Sequence, residues 1–223
     1  MPNERQETGE TMTCKEYYDQ IKERFDKEIV EHEMTIHQDR GLYRHIVFAV
    51  PGTNIYHFNL TTFPNYLIIS GDMGTYAFSR VEDMFRFFRN ERICINPSYW
   101  GEKLKSISTN GGYEKFNVDE FKQGVEESFE AYREYLDDKE LADKIWADIK
   151  MTVIDPANDD GAGWVAMQSA IEYRYEDILA DINIGNIFQD FWEHSCNRFD
   201  YNYIWCLWAI VHGIKMYDEF KKN

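Results

Sequence analysis

The sequence predicts an α+β protein in which a small antiparallel sheet of three to four strands packs with helices and is followed by a mainly helical, acidic C-terminal half. Two patterns support this prediction. Short β-rich runs separated by Pro, Gly and Asn lie between residues 42 and 79, whereas apolar residues recur every three or four positions in 13–30 and beyond 112. With 223 residues, 43% of them apolar, the chain can bury a sizeable core.

Residues 1–12 are polar and are predicted to form a flexible tail. The first helix is predicted to begin after Thr13, because Thr13 and Glu16 have the spacing of a capping box. Apolar residues at helical spacing continue the pattern as far as Ile29 or Val30.

The strands are predicted from four β-rich runs that turn residues separate. Within the second run, Phe58 and Leu60 alternate with polar residues, which is typical of a sheet with one face against the core and one face toward solvent. The sequence Gly71-Asp72-Met73-Gly74 favours a hairpin turn. The four runs are 42–50, 54–62, 66–70 and 75–79.

After the sheet the helical period returns at Met84, Phe85 and Phe88. A glycine-rich break at 109–112 then separates the sheet-containing region 13–111 from an acidic helical region, 112–223. The sequence leaves open whether these regions are two domains or one continuous domain.

In the acidic region, the strongest pattern predicts a helix of about five turns over 118–136. The apolar run 203–211 in the last predicted helix is about half the length that a membrane span requires, so it indicates a buried helix and no membrane partner. A loop is predicted at 155–163. Further helices are predicted at 141–149, 164–178, 187–195 and 201–220.

Negative charge is concentrated in one part of the chain. Residues 112–200 carry 22 acidic and 8 basic residues, residues 1–111 carry 16 and 13, and residues 201–223 carry 2 and 3. An acidic field of this kind repels nucleic acid and attracts basic surfaces. The charge therefore predicts no direct binding of nucleic acid and a partner protein with a basic groove.

The predicted helix 118–136 places three glutamates at i, i+4 spacing on one face, about 6 Å apart along the helix. This spacing is near that of phosphates along a nucleic-acid strand. Two interpretations remain open: a solvated helix face, or a surface that imitates phosphates and occupies a groove for nucleic acid. The candidate contact residues are Glu126, Glu127, Glu130, Glu134, Asp137 and Asp138.

Other patterns of potential ligands are weaker. The aspartates of the 155–163 loop lack the register of an EF-hand, and the four His and Cys residues near the C-terminus fit no zinc spacing. Motifs of serine hydrolases, zinc proteases and P-loops are absent from the sequence. We therefore expect no catalytic residue, no metal and no cofactor. The residues in question are Asp155, Asp159, Asp160, His194, Cys196, Cys206 and His212.

Widely spaced cysteines and a polar start without an apolar leader predict reduced thiols and a cytoplasmic location. The six tryptophans are mostly expected in the core because their neighbours are apolar. Trp146 and Trp164, however, lie within the acidic region. An exposed aromatic side chain beside carboxylates is typical of a hot spot for protein binding.

Three stretches around the sheet resemble uncharacterised proteins encoded in phages and prophages. They are 66–80, with the sequence YLIISGDMGTYAFSR, 83–88, with DMFRFF, and 95–102, with INPSYWGE. The resemblance covers about a quarter of the chain and implies no chemistry. It implies a context, since accessory phage proteins are often small soluble proteins that counter host defences.

Together these observations predict a non-enzymatic phage protein in the host cytoplasm. It would inhibit a bacterial defence nucleoprotein or nuclease, such as a CRISPR effector, by occupying its basic groove for nucleic acid. One alternative is a small phage metabolic enzyme in which Asp72, His57 and Arg80 of the sheet meet in a pocket. Another is a structural or assembly protein whose charge only keeps it soluble.

Overall fold

The computed structural model describes residues 13–89, 94–109, 112–158, 163–177, 182–185, 187–194 and 196–222. The chain forms two compact units: a helical unit, Phe116–Arg198, and a sheet unit, Met12–Lys115 with Phe199–Asn223. The last helix thus belongs to the sheet unit, whereas the sequence analysis grouped it with the acidic region 112–223. The predicted tail 1–12 lies outside the described residues. Among the helices described, none is long and apolar enough to cross a membrane.

Helices and strands are interspersed along the chain. The helices are α1 Cys14–Glu28, α2 Met84–Phe88, α3 Pro97–Gly101, α4 Val118–Arg133, α5 Lys139–Ile149, α6 Gly163–Glu172 and α7 Tyr201–Phe220. The strands are β1 Glu33–Arg40, β2 Tyr43–Ala49, β3 Phe58–Phe63, β4 Tyr66–Gly71, β5 Gly74–Ser79, β6 Leu104–Ile107, β7 Glu114–Phe116, β8 Arg174–Asp177, β9 Ile182–Gly185 and β10 Asn197–Phe199.

The predicted α+β class is confirmed, but the predicted count of three to four strands is wrong. Strands β1 to β6 form one antiparallel sheet in which each strand pairs with the next. The sequence analysis missed β1 and β6, which are the two edges. In β1 only Met34 and Ile36 alternate with polar residues before a bulge between Ile36 and Gln38, and β6 has four residues, so each strand carries only a short signal of a half-buried strand.

The core of the sheet unit lies between one face of this sheet and α7. Along α7, 12 of the 20 residues are buried, which explains why its sequence is apolar on every side. The helix approaches the sheet closely at Gly213, where a Cβ atom would lie 2.8 Å from Leu60 Cδ1 and 3.0 Å from the Phe48 ring. On its other side α7 packs against α1, with the rings of Phe25 and Trp205 centred 5.0 Å apart.

The helical unit has its own core, which α4, α5 and α6 enclose. The apolar stripe predicted over 118–136 is confirmed as the core-facing side of α4, although α4 ends at Arg133. Asn117 caps the start of α4, since its Oδ1 accepts hydrogen bonds from the backbone N–H groups of Asp119 and Glu120, both at 3.0 Å.

One helix predicted in this unit is too long, and another is wrong. The helix predicted over 164–178 ends at Glu172, and β8 then pairs with β9 as a hairpin. The helix predicted over 187–195 is replaced, in its described part, by turns and a single 3-10 turn at Phe191–Glu193. Asp190 has a φ of 60°, in the left-handed region, which interrupts a right-handed helix at that point.

Candidate protein-binding surface

Helix α4 carries a row of exposed carboxylates on the side opposite its core contacts. Its buried residues Phe121, Val125 and Phe129 repeat every four positions, so residues five positions after each of them lie near the outer face. We call the three glutamates there the acidic row. The acidic row consists of Glu126, Glu130 and Glu134, all exposed, with exposed Glu127, Asp137 and Asp138 beside it or just beyond its end.

Basic side chains neutralise the acidic row only in part. Arg133 donates to Glu130 Oε1 at 3.3 Å and to Asp143 Oδ1 at 3.0 Å. By contrast, Glu126 and Glu134 form no hydrogen bond or ion pair through their carboxylates within the described part of the chain. Exposed ion pairs such as the one at Arg133 contribute less than about 1 kcal/mol, so a basic partner can replace them.

Asp138 differs from the rest of the predicted contact set because it has a structural role. Its Oδ1 accepts hydrogen bonds from the backbone N–H groups of Glu140 at 2.9 Å and Leu141 at 3.1 Å. These bonds make Asp138 the N-cap of α5. Its carboxylate therefore stabilises a helix start while it remains exposed.

The charge of the whole helical unit reinforces the acidic row. Residues 116–198 contain 20 acidic and 7 basic residues, a net charge of −13, whereas the rest of the chain contains 20 and 17. A single-sign field of this size attracts cationic surfaces from a distance and repels polyanions. The exposed carboxylates of the acidic row add to this field at the surface of α4.

A second feature of the same unit is an open cleft of about 540 Å³ that we call the tryptophan cleft. Trp164 and Trp192, with exposed fractions of 76% and 61%, both line it. The buried thiol of Cys196 lies in its wall, and burial raises the pKa of this thiol, which keeps it neutral. The lining is completed by Phe116, Gly163, Met167, Glu193, His194 and Asn197.

Local structure explains how both tryptophans come to face solvent. Gly163 begins α6 in close contact with the Phe116 ring, because a Cβ atom there would lie only 2.7 Å from ring carbon Cγ. Trp164 is the next residue of α6. On the 3-10 turn, Phe191 is fully buried and packs edge-on against Phe121 with ring centres 5.6 Å apart. The neighbouring residue Trp192 consequently points outward.

This aromatic feature was predictable in part. Trp146 and Trp164 lie within the acidic region of the sequence, and Trp164 is indeed exposed. Trp146 is partly buried and stacks on Phe129 at 5.0 Å. The expectation that the tryptophans lie mostly in the core is wrong for Trp192, because a 3-10 turn replaces the helix predicted over 187–195 and leaves Trp192 exposed.

The three residues named for the enzyme alternative do not all meet at one place. Asp72 Oδ2 accepts a hydrogen bond from the Tyr56 N–H at 2.9 Å, and His57 Nδ1 lies 2.6 Å from the Asn54 carbonyl oxygen, so both side chains stabilise turns. Arg80 follows the last residue of β5. The six residues of β5, about 20 Å of extended chain, therefore lie between Arg80 and the turn that contains Asp72. Asp72 and His57 are neighbours, since the Asp72 N–H donates to the His57 carbonyl oxygen at 3.0 Å, but Arg80 lies away from both.

The potential metal ligands are likewise dispersed. Across the ranges that the structure describes, no group of three His, Cys, Asp or Glu side chains is arranged to hold a metal ion. Cys196 belongs to the helical unit, whereas Cys206 lies in the core of the sheet unit, 3.8 Å from the Met73 carbonyl oxygen. Asp159 and Asp160 of the predicted loop lie outside the described residues.

Comparison with models of protein families, with curated proteins and with solved structures finds no match to this chain. The candidate surface is therefore defined by the chain's own geometry: the acidic row on α4 and the tryptophan cleft of the same unit.

Proposed function

We propose that this protein is a phage-encoded inhibitor that binds a bacterial defence nucleoprotein or nuclease and occupies its basic groove for nucleic acid. The observation that supports the proposal is the acidic row. Its three carboxylates are exposed, lie at i, i+4 spacing on the outer face of α4 and of its C-cap residue Glu134, and belong to a unit with a net charge of −13.

The mechanism is steric and electrostatic and needs no chemical step. Opposite fields accelerate the encounter between the helical unit and a basic groove. Once bound, the acidic row takes the place of phosphates and excludes nucleic acid from the groove. The resemblance of residues 66–80, 83–88 and 95–102 to phage and prophage proteins supports this context and a location in the host cytoplasm.

A panel of bacterial strains tests the proposal, each carrying one CRISPR effector or one restriction nuclease. Expression of the protein should restore the plating efficiency of a targeted phage by orders of magnitude in at least one strain. The triple variant E126K/E130K/E134K should lose this effect, because it replaces three carboxylates of the row with ammonium groups. The fold should persist, since such surface changes alter stability by less than about 0.5 kcal/mol each.

A matched control separates position from net charge. The variant D19K/E23K/E31K changes the charge by the same amount at three exposed carboxylates of the sheet unit. It should retain most of the inhibition. Failure to relieve any defence system in the panel, or equal relief by both triple variants, would contradict the proposal.

A further inference from the structure

The tryptophan cleft combines two exposed indole side chains with a concave surface. Trp164 and Trp192 leave 76% and 61% of their surfaces open to solvent, and both line one concavity. Large exposed aromatic side chains are costly to leave in water, and they are enriched at the centres of protein interfaces.

The charge around the cleft selects the kind of group that fits. The described lining contains no Lys or Arg, and it includes the exposed residue Glu193, which follows Trp192 in the chain. The surrounding unit has a net charge of −13. An anionic or phosphate-bearing group is therefore disfavoured, whereas a cation gains from both the carboxylate and the indole faces.

We propose that the tryptophan cleft binds an arginine side chain of the partner protein. A guanidinium group is planar, so it stacks on an indole face while its N–H groups donate to a carboxylate, here that of Glu193. The aliphatic stem of the arginine packs against the apolar lining formed by Phe116 and Met167. A lysine ammonium is a hydrated point charge without a stacking face and fits this combination less well.

This inference rests on the proposed function for one point, the source of the arginine, because a basic groove for nucleic acid contains arginine side chains. The binding chemistry itself is independent of that function and of the acidic row. The experiment therefore uses defined peptides and the full chain, with no defence protein present.

The experiment follows the indole N–H signals of the ¹⁵N-labelled protein by NMR during titration with the peptide Ac-Gly-Arg-Gly-Arg-Gly-NH2. The signals of Trp164 and Trp192 should shift, while those of the buried Trp205 and the stacked Trp146 should stay in place. The same peptide with citrulline in place of arginine has nearly the same shape without the charge. The citrulline peptide should bind about twofold to fivefold more weakly, as expected for loss of a cation–π contact.

Single variants localise the effect. W164L and W192L should each weaken binding of the arginine peptide about twofold to fivefold. Y135L is the matched control, because Tyr135 is an aromatic residue of the same unit that is 85% exposed and does not line the cleft. It should leave the affinity for the arginine peptide unchanged.

Three results would overturn the inference: no indole shift with the arginine peptide, an equal response to the citrulline peptide, or larger shifts with oligo(dT). The last result would indicate that bases stack on the tryptophans. The two proposals fail separately. If the cleft binds arginine but no defence system is relieved, the proposed inhibitor function is contradicted and the arginine site is not. If W164L/W192L relieves a defence system as fully as the wild type does, only the proposed role of the cleft in partner binding is contradicted.

Discussion

At the scale of single residues, the acidic surface contains carboxylates with two different roles. Asp138 caps α5 through hydrogen bonds to two backbone N–H groups, while its neighbour Asp137 is exposed and forms no such bond among the residues described. Both were predicted as partner contacts from their charge alone. Charge at a helix start and charge on a binding surface look alike in a sequence, because aspartate is favoured at N-caps whatever else it does.

These two neighbours offer a matched pair of substitutions. Asp138→Ala should lower the free energy of unfolding by about 1 kcal/mol, because two backbone N–H groups at the start of α5 lose their acceptor. Asp137→Ala removes the same charge and should change stability by less than about 0.5 kcal/mol. Urea unfolding curves of the two variants measure the difference. Equal stability of the two would show that the cap contributes nothing.

At the scale of elements, packing distances decide whether a glycine position in a helix can hold a larger residue. Gly213 of α7 lies against the sheet, where a Cβ atom would approach Leu60 to 2.8 Å. Gly124 of α4 is also buried in a helix, but a Cβ atom there would find its nearest neighbour, His194 Nδ1, at 3.4 Å. The first position requires glycine for close approach, and the second has room for a methyl group.

Gly213→Ala should therefore destabilise the protein by about 1–3 kcal/mol through overpacking. Gly124→Ala should leave stability unchanged or raise it by up to about 1 kcal/mol, since alanine has the higher helix propensity. The midpoints of thermal unfolding, compared with that of the wild type, test both. A stabilising Gly213→Ala would mean that α7 and the sheet do not approach each other as described.

Elements with a repeating local signal were predictable, and those held by their neighbours were not. The capping box at α1 is confirmed: Glu16 N–H donates to Thr13 Oγ1 at 3.3 Å, and Thr13 N–H donates to Glu16 Oε2 at 2.8 Å. The hairpin turn between β4 and β5 is confirmed as well. Strand β1 was missed because its alternation is short: Met34 and Ile36 alternate with polar residues, and a bulge between Ile36 and Gln38 then breaks the pattern.

The same reasoning explains the candidate site. Exposure of the acidic row followed from the four-residue spacing of Glu126, Glu130 and Glu134 opposite an apolar stripe, and the structure confirms that exposure. The tryptophan cleft was only partly predictable. Its lining comes from α6, the 3-10 turn and residues near β7 and β10, and no local pattern records that these segments meet.

At the scale of the whole molecule, charge is divided unevenly between the two units. The helical unit carries a net charge of −13, and the remaining residues carry −3. The sheet unit holds the larger core, which includes α7 and the buried face of the six-stranded sheet. We infer that the sheet unit contributes a stable scaffold, while the helical unit supplies the field that the proposed inhibition requires.

The most direct test of the account is the rate at which the protein associates with the defence protein it inhibits in the panel. If opposite fields drive the encounter, the association rate constant should fall by about tenfold or more between about 50 mM and about 300 mM sodium chloride. The variant E126K/E130K/E134K should show no measurable association under the same conditions. An association rate that ignores salt, together with wild-type binding by this variant, would contradict electrostatic occupation of a basic groove through α4.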